Sequence, residues 1–315
     1  MKKGCIYIIV TTLLFSSMEV ALKLVAGDFN PIQMTFSRFL AGGVVLLPSA
    51  LRALKKRGVR ADARAFGSFA LLGLMGIALS MSFYQIAVTR VNAGVVGALF
   101  SSNPVFVTVL AFLILKESIS RRQIVGLVLD IAGIVLIIRP WDLQLDPVGI
   151  VCVLAATVMF SLYGVSGKRQ CARFGGVAVA CFGFLTGAAE MMALSALTHI
   201  PAIASALTGA GLELFASIPF LRGYTLANLP AVLYIFVGVT GIGYTCYFLA
   251  MEETSAQQAS LVFFFKPALA PLLALLLLKE SVPLNMLIGI AVIMCGAFVS
   301  MGRSEKPLPA EAAAE

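Results

Sequence analysis

Charge is scarce in this chain, and motifs that carry covalent chemistry are scarcer still. Only 12% of its 315 residues are charged while 60% are hydrophobic, more apolar surface than a water-soluble fold of that size can hide. There is one histidine, His199, beside Pro201 at an expected helix end; a lone loop histidine reads as solvated rather than catalytic. The six cysteines (Cys5, Cys152, Cys171, Cys181, Cys246, Cys295) follow no framework spacing and mostly fall inside apolar runs. They read as small hydrophobes, with neither a disulfide scaffold nor a metal site. No phosphate-binding loop, zinc spacing or Ser/His/Asp arrangement occurs, which argues against an ATP-driven pump and leaves no expected cofactor. The net charge of +8 is no nucleic-acid footprint, because the basic residues lie mainly between apolar runs, where positive charge sets membrane orientation.

Long apolar runs are what the chain has instead. Ten spans of about the 20 residues that cross a bilayer core are expected at 4–25, 31–51, 65–88, 93–115, 121–139, 147–167, 176–198, 228–250, 256–278 and 283–302. The Met-Lys-Lys start imitates a secretory signal, but the run behind it is too long for a signal core and lacks a small-residue cleavage site. With the N-terminus inside, the interior segments hold sixteen lysines and arginines, the exterior segments four (Arg90, Arg139, Arg222, Lys279), and three (Lys23, Arg38, Lys266) lie within spans. That imbalance sets both termini in the cytoplasm.

The chain also repeats itself. Residues 84–136 recur at 247–299 with a constant offset of 163 and no gap. Tyr84 matches Tyr247, Ala87 matches Ala250, Ala93 matches Ala256, Phe100 matches Phe263 and Pro104 matches Pro267. Lys116-Glu117-Ser118 matches Lys279-Glu280-Ser281, and Gly126 and Gly133 match Gly289 and Gly296. At offset 145, Phe15, Ser16 and Lys23 match Phe160, Ser161 and Lys168; the offset changes because segment 199–227 is longer than its counterpart. The unit is five helices, and an odd number inverts the second copy. The expected fold is thus an all-α membrane protein with ten transmembrane helices in two inverted five-helix repeats, 1–140 and 141–303, with a disordered cytoplasmic tail at 304–315. Segment 199–227 is expected outside, as an interfacial or cavity-capping piece. Inverted repeats recur in transporters that alternate access around a central site.

Ionisable groups within spans are functional candidates by default. Glu19 and Arg38 each lie about seven residues from the outer end of their spans, roughly 10 Å deep. They could meet as a gate or substrate-coordinating pair, or as a static ion pair. Lys23 could pair with Glu19 one turn away, though snorkelling to the interface is the favoured expectation. Lys266 and Asn103 are repeat mates near the midplane, each preceding a proline. Pro267 and Pro104 break the helix and free backbone groups, which lipid tolerates only beside protein or a wet cavity. Lys266→Met is expected to leave folding nearly intact and abolish saturable transport. Asp130 and Glu190 are further relay candidates, with bundle pairing as the alternative. Among the aromatics, Tyr84, Tyr163, Tyr244, Phe100 and Phe263 are expected to line an organic-solute pocket.

The doubled pattern Ala87, Ala93, Pro104, Lys116-Glu117, Gly126, Gly133 resembles the EamA family of the drug/metabolite transporter superfamily. The resemblance implies ten helices in two inverted repeats, a central cavity lined by helices 1, 3, 4, 6, 8 and 9, and transport of small organic metabolites, often outward. Where many members carry Trp-Gly in helix 1, this chain has Phe15-Ser16-Ser17 and then Glu19. The expected function is a non-enzymatic secondary transporter exporting a small organic metabolite, amino-acid-like or related, across the inner membrane by alternating access, with proton coupling as one option. Substrate-binding residues are Lys266, Asn103, Glu19, Tyr84, Tyr163, Tyr244, Phe100 and Phe263. Coupling or gating residues are Glu19, Arg38, Glu190 and Asp130. The expected partners are a small-molecule solute, the bilayer and protons, with no nucleic acid, in a monomer or homodimer; facilitated diffusion and exchange stay open. The rival readings are a membrane scaffold or sensor subunit, and an intramembrane lipid-modifying enzyme.

Overall fold

The computed structural model describes residues 2–59, 62–116, 119–139, 146–263 and 265–301. Arg60, Glu117, Ser118, Phe264, Arg303, Lys306 and the expected disordered tail lie outside the described residues. Every regular element among those described is a helix. The longer ones, in chain order, are α1 (Lys3–Leu24), α2 (Pro31–Arg57), α3 (Ala63–Arg90), α4 (Ala93–Leu115), α5 (Arg121–Ile138), α6 (Pro147–Phe174), α7 (Gly176–Leu197), α8 (Pro201–Gly209), α9 (Leu229–Glu253), α10 (Lys266–Leu278) and α11 (Leu284–Met301). Seven of them (α1–α4, α6, α7, α9) are long and apolar enough to cross a membrane. Leucines and valines such as Leu13, Val44, Leu113, Val151 and Leu276 are exposed on the outside of the bundle, a surface suited to hydrocarbon and not to water. The chain is an integral membrane protein.

Local sequence explains where the helices start. Asn30 caps α2, its side-chain oxygen accepting from the backbone N–H of Ile32 (2.9 Å) and Gln33 (3.3 Å), with Pro31 preset for the first turn. Asp62 caps α3 through Ala65 N–H (2.8 Å) and Asp146 caps α6 through Val148 N–H (2.8 Å), again ahead of a proline. Ser120 and Gln123 form a reciprocal capping box on α5. α2 and α6 outrun their expected spans by a turn or more, to Arg57 and Phe174, because their basic ends continue as helix beyond the apolar run.

Equivalent positions of the two sequence copies make equivalent contacts. α4 and α10 both finish in a π-helical turn, Ala111–Leu115 and Ala274–Leu278, followed by a lysine in the left-handed conformation (Lys116 and Lys279, each φ 56°). Lys23 does not pair with Glu19. Its Nζ donates to the carbonyls of Val88 (2.8 Å) and Val91 (3.2 Å) at the end of α3. Lys168, its match, does the same at the end of α9, donating to Met251 and Thr254. Each lysine satisfies carbonyls that a helix end leaves without partners. Ala93, Val20 and Ala274 form one small packed cluster, and their matches Ala256, Val165 and Ala111 form another. α5 and α11 cross through glycine: a Cβ on Gly133 would lie 2.7 Å from the Gly289 carbonyl oxygen, one on Gly289 2.7 Å from that of Gly133, and one on Gly296 2.8 Å from that of Gly126. Only the missing side chains permit that approach.

Segment 199–227 folds over the N-terminal end of α2 and the C-terminal ends of α3 and α7. It contains α8 and a 3-10 turn, Glu213–Phe215. Asn30 donates to the Leu214 carbonyl (2.8 Å) and Gln33 to those of Phe220 (3.3 Å) and Arg222 (2.7 Å). His199 is not simply solvated: its Nε2 bonds the Ile218 carbonyl (2.8 Å) and its ring stacks on Phe220. Beneath this segment lies a cavity of about 480 Å³ whose walls, Leu74, Phe83, Ile86, Met191, Phe215 and Ile218 among them, are almost wholly apolar.

Candidate functional site

The centre of the bundle holds a charged cluster built from both sequence copies. α1 bends at Ser17, where the helix is interrupted for one residue, and the next turn presents Glu19. α3 supplies Tyr84. In the second copy the chain breaks before Pro267: a short helix, Ala256–Ser260, gives way to a 3-10 turn, Leu261–Phe263, and α10 begins at Lys266. The proline removes a backbone donor and restarts the helix, so the Lys266 side chain leaves from a helix start deep in the bundle. Its ammonium lies 2.5 Å from Glu19 Oε1, and both side chains are 0% exposed. Tyr84 donates its hydroxyl to the same Glu19 oxygen. The ammonium also sits over the rings of Phe100 (4.7 Å), Tyr84 (5.5 Å) and Phe263 (5.8 Å), whose negative faces favour a cation. Gly97 on α4 leaves room for the carboxylate; a Cβ there would come within 3.3 Å of it.

The sequence leads one to expect Glu19 beside Arg38, and the structure pairs it with Lys266 instead. The two candidates share a depth, but depth says nothing of which way a side chain points around its helix. Arg38 is fully buried on α2, against Met18 Sδ (3.4 Å from Nη1) and the Phe39 ring (4.7 Å). The ion pair also changes what Lys266→Met would do. It would strip a buried carboxylate of its counter-charge, so it is not neutral to folding.

In the other half, the matches of these three residues are Tyr247, Gly164 and Asn103, and the charges are gone. The position of Glu19 is a glycine, against which the Tyr247 hydroxyl packs at 2.9 Å from where a Cβ would stand. Asn103 donates to Ser161 Oγ (2.7 Å). The Tyr247 hydroxyl, the Asn103 side-chain Oδ1 and the Tyr163 hydroxyl are buried without a hydrogen-bond partner. Pro104 acts as Pro267 does, with a turn at Ser101 and Ser102 before the helix restarts at Asn103.

Aromatic rings fill the space between the halves. Phe100 touches Phe263 (5.7 Å between centroids), Phe160 touches Phe100 (5.4 Å) and Tyr247 (5.6 Å), and Phe15 touches Tyr244 (4.8 Å). Tyr244 directs its hydroxyl to Met81 Sδ at 2.9 Å. The residues expected to line a central cavity are therefore packed on one another, with the charges sealed inside. Asp130 and Glu190 stand apart from this cluster. Asp130 faces α11, with Oδ1 2.8 Å from where a Gly296 Cβ would be, and each carboxylate has one buried oxygen without a partner. Sequence reasoning missed Tyr247, Gly164 and Ser161 as members of the site. The constant repeat offset was the signal that could have found them, since each is the match of a residue at the charged cluster or beside it.

Comparison with known proteins gives a consistent picture. The model of the EamA-like transporter family matches residues 2–139 and again 147–302. An uncharacterized transporter of Clostridium kluyveri is 34% identical over 97% of this chain and 95% of its own length. A probable terminal-alkyne amino-acid exporter of Streptantibioticus cattleyicolor is 25% identical, covering 95% of this chain and 93% of that protein. Among solved structures, one crystal structure superposes with a TM-score of 0.67 at 20% identity, over 95% of this chain and 97% of the other, a likeness of fold.

Proposed function

The chain belongs to the EamA-like transporter family, and from that premise we propose that it is a secondary transporter exporting an amino-acid-like metabolite across the inner membrane. The observation that carries this reading is the fully buried Glu19–Lys266–Tyr84 cluster, contributed by both copies of the repeat. A buried ion pair roughly breaks even for stability and is expensive to half-remove, so its presence at the bundle centre calls for a functional reason. In this reading the architecture is ten crossings in two inverted five-helix units, 1–140 and 141–303, with both termini cytoplasmic. The matched contacts of Lys23 and Lys168, the reciprocal Gly133–Gly289 crossing, and the meeting of the mates Phe100 and Phe263 all support a two-fold axis in the membrane plane. The excess of lysine and arginine in the assigned interior segments supports the orientation.

The mechanism follows from what can compete for the pair. The ammonium of an amino-acid-like solute can replace Lys266 on the charged Glu19, and a proton on Glu19 then cancels the charge that holds it and releases the solute, so proton and solute exclude each other and exchange across the membrane. When that proton leaves, Glu19 takes Lys266 back and the pair closes again. The uncharged half, with Asn103 and Tyr247, accepts the polar end of the solute without trapping it. The name of the Streptantibioticus relative supports an amino-acid-like cargo and outward transport. Inside-out vesicles carrying the purified protein test the proposal. Saturable accumulation of a labelled amino acid, driven by an acid interior and lost in Glu19→Gln, is expected; accumulation that ignores the pH gradient and the substitution refutes the coupling.

A further inference from the structure

Arg38 is a buried charge whose guanidinium is only partly satisfied by the protein. It is 0% exposed, and a guanidinium stays protonated inside proteins, so burial cannot neutralise it as it can a lysine or a carboxylate. Its partner by depth, Glu19, gives Oε1 to Lys266 and Tyr84, leaves Oε2 without a hydrogen-bond partner, and acts on Arg38 through its charge without forming an ion pair with it. Met18 Sδ occupies Nη1, and the Phe39 ring covers the group at 4.7 Å. Nε and Nη2 have no hydrogen-bond partner. These two nitrogens lie on one edge of the guanidinium plane. Their parallel N–H groups have the spacing of the two oxygens of a carboxylate, the fork geometry that makes arginine the usual receptor for such groups. Tyr244, Tyr84 and Glu19 act electrostatically on Arg38, so the guanidinium belongs to the same central region as the charged cluster.

Resting on the transport reading, we propose that the Nε–Nη2 edge of Arg38 is the receptor for the carboxylate of the transported solute. An unpaired buried cation is a standing cost in the empty protein, which a ligand anion removes on binding. The solute carboxylate then docks first on a fixed arginine, while the Glu19–Lys266 pair remains the element that opens and closes. A static structural arginine would instead be expected to have its donors satisfied by the protein.

The test uses purified full-length protein in detergent and in vesicles. Its probes are a panel of zwitterionic amino acids, their carboxamides and their decarboxylated amines, with acetate, chloride and inorganic phosphate as controls. Wild-type protein is expected to be stabilised by at least one amino acid and not by its carboxamide or amine. Arg38→Met should raise or preserve the melting temperature of the empty protein while removing that response and the corresponding transport. Arg38→Lys, which keeps charge but loses the fork, should weaken binding at least about tenfold. The proposal is overturned if the carboxamide binds as well as the acid, if Arg38→Met still transports with unchanged affinity, or if it destabilises the empty protein as loss of a paired residue would. It is also overturned if the simple anions reproduce the whole response, or if no panel member acts through its carboxylate. A failure of Arg38→Met to fold is the extreme of that destabilisation and overturns the proposal too, and the acid-against-carboxamide comparison on wild type and Arg38→Lys tests it independently of that variant. Vesicles that move a carboxylate-free solute would refute the role of Arg38 and leave the transport reading standing.

Discussion

Replacing Lys266 by methionine tests the central cluster most directly. The ammonium lies 2.5 Å from Glu19 Oε1 with both groups inaccessible to solvent, so the substitution leaves a carboxylate with no ion-pair partner, held by the Tyr84 hydroxyl and by the field of Arg38. Removing one partner of a buried pair costs about 3–5 kcal/mol. Glu19→Gln alone leaves an uncompensated ammonium over the Phe100 ring and should cost a similar amount, lessened because the amide can still accept from Tyr84. In the double variant both charges are gone and the methionine packs among Phe100, Tyr84 and Phe263. Its loss should therefore fall well below the sum of the singles, with a coupling energy of about 2–3 kcal/mol. Equilibrium unfolding of the four proteins in mixed micelles measures this cycle. Losses that add to within about 0.5 kcal/mol would show that the two residues do not interact and would remove the basis for the coupling mechanism. The sequence alone suggests that Lys266→Met is nearly silent in folding, so the two expectations separate cleanly.

Four further outcomes are expected. Single reporter cysteines beside Lys116 should react from inside and those beside Lys279 from outside; labelling of both from one side would end the inverted-repeat reading. Gly133→Val forces a side chain into the Gly289 carbonyl and Ile293 and should destabilise by about 1–3 kcal/mol, seen as a lower melting temperature. Lys23→Met and Lys168→Met should each cost about 1.5–3 kcal/mol through lost charged hydrogen bonds to helix-end carbonyls, and a large loss for only one of them would show that the matched contacts are not equivalent in energy. Asp130→Asn should leave transport unchanged, because its carboxylate faces α11 and not the cluster; abolished transport with normal folding would make Asp130 the proton carrier.

Much of this molecule was legible in its sequence, for physical reasons that can be named. Membrane insertion follows from composition, because lipid is the only solvent that tolerates such apolar runs. Helix starts at Asn30, Asp62, Ser120 and Asp146 follow from local capping chemistry, and the breaks before Pro104 and Pro267 from a missing N–H. The candidate charges were found by depth, since an ionisable side chain far inside an apolar run is rare without a reason.

What only the tertiary structure decided is which of those charges meet. A span reports how deep a residue lies but not its direction around the helix, and contacts across the bundle depend on direction. Glu19 and Arg38 share a depth on consecutive helices, yet Glu19 turns to a lysine far away in sequence and Arg38 is left facing a methionine and a phenylalanine. Likewise the repeat offset marked Tyr247, Gly164 and Asn103 as mates of the charged cluster. That the Tyr247 hydroxyl and the Asn103 side-chain amide oxygen lie buried without partners could be known only once the helices were packed. Sequence by itself determined the solvent, the helices and the inventory of charges, because each depends on local chemistry. Packing determined the pairing, because an ion pair forms between side chains that point at each other, and that is a property of the whole bundle.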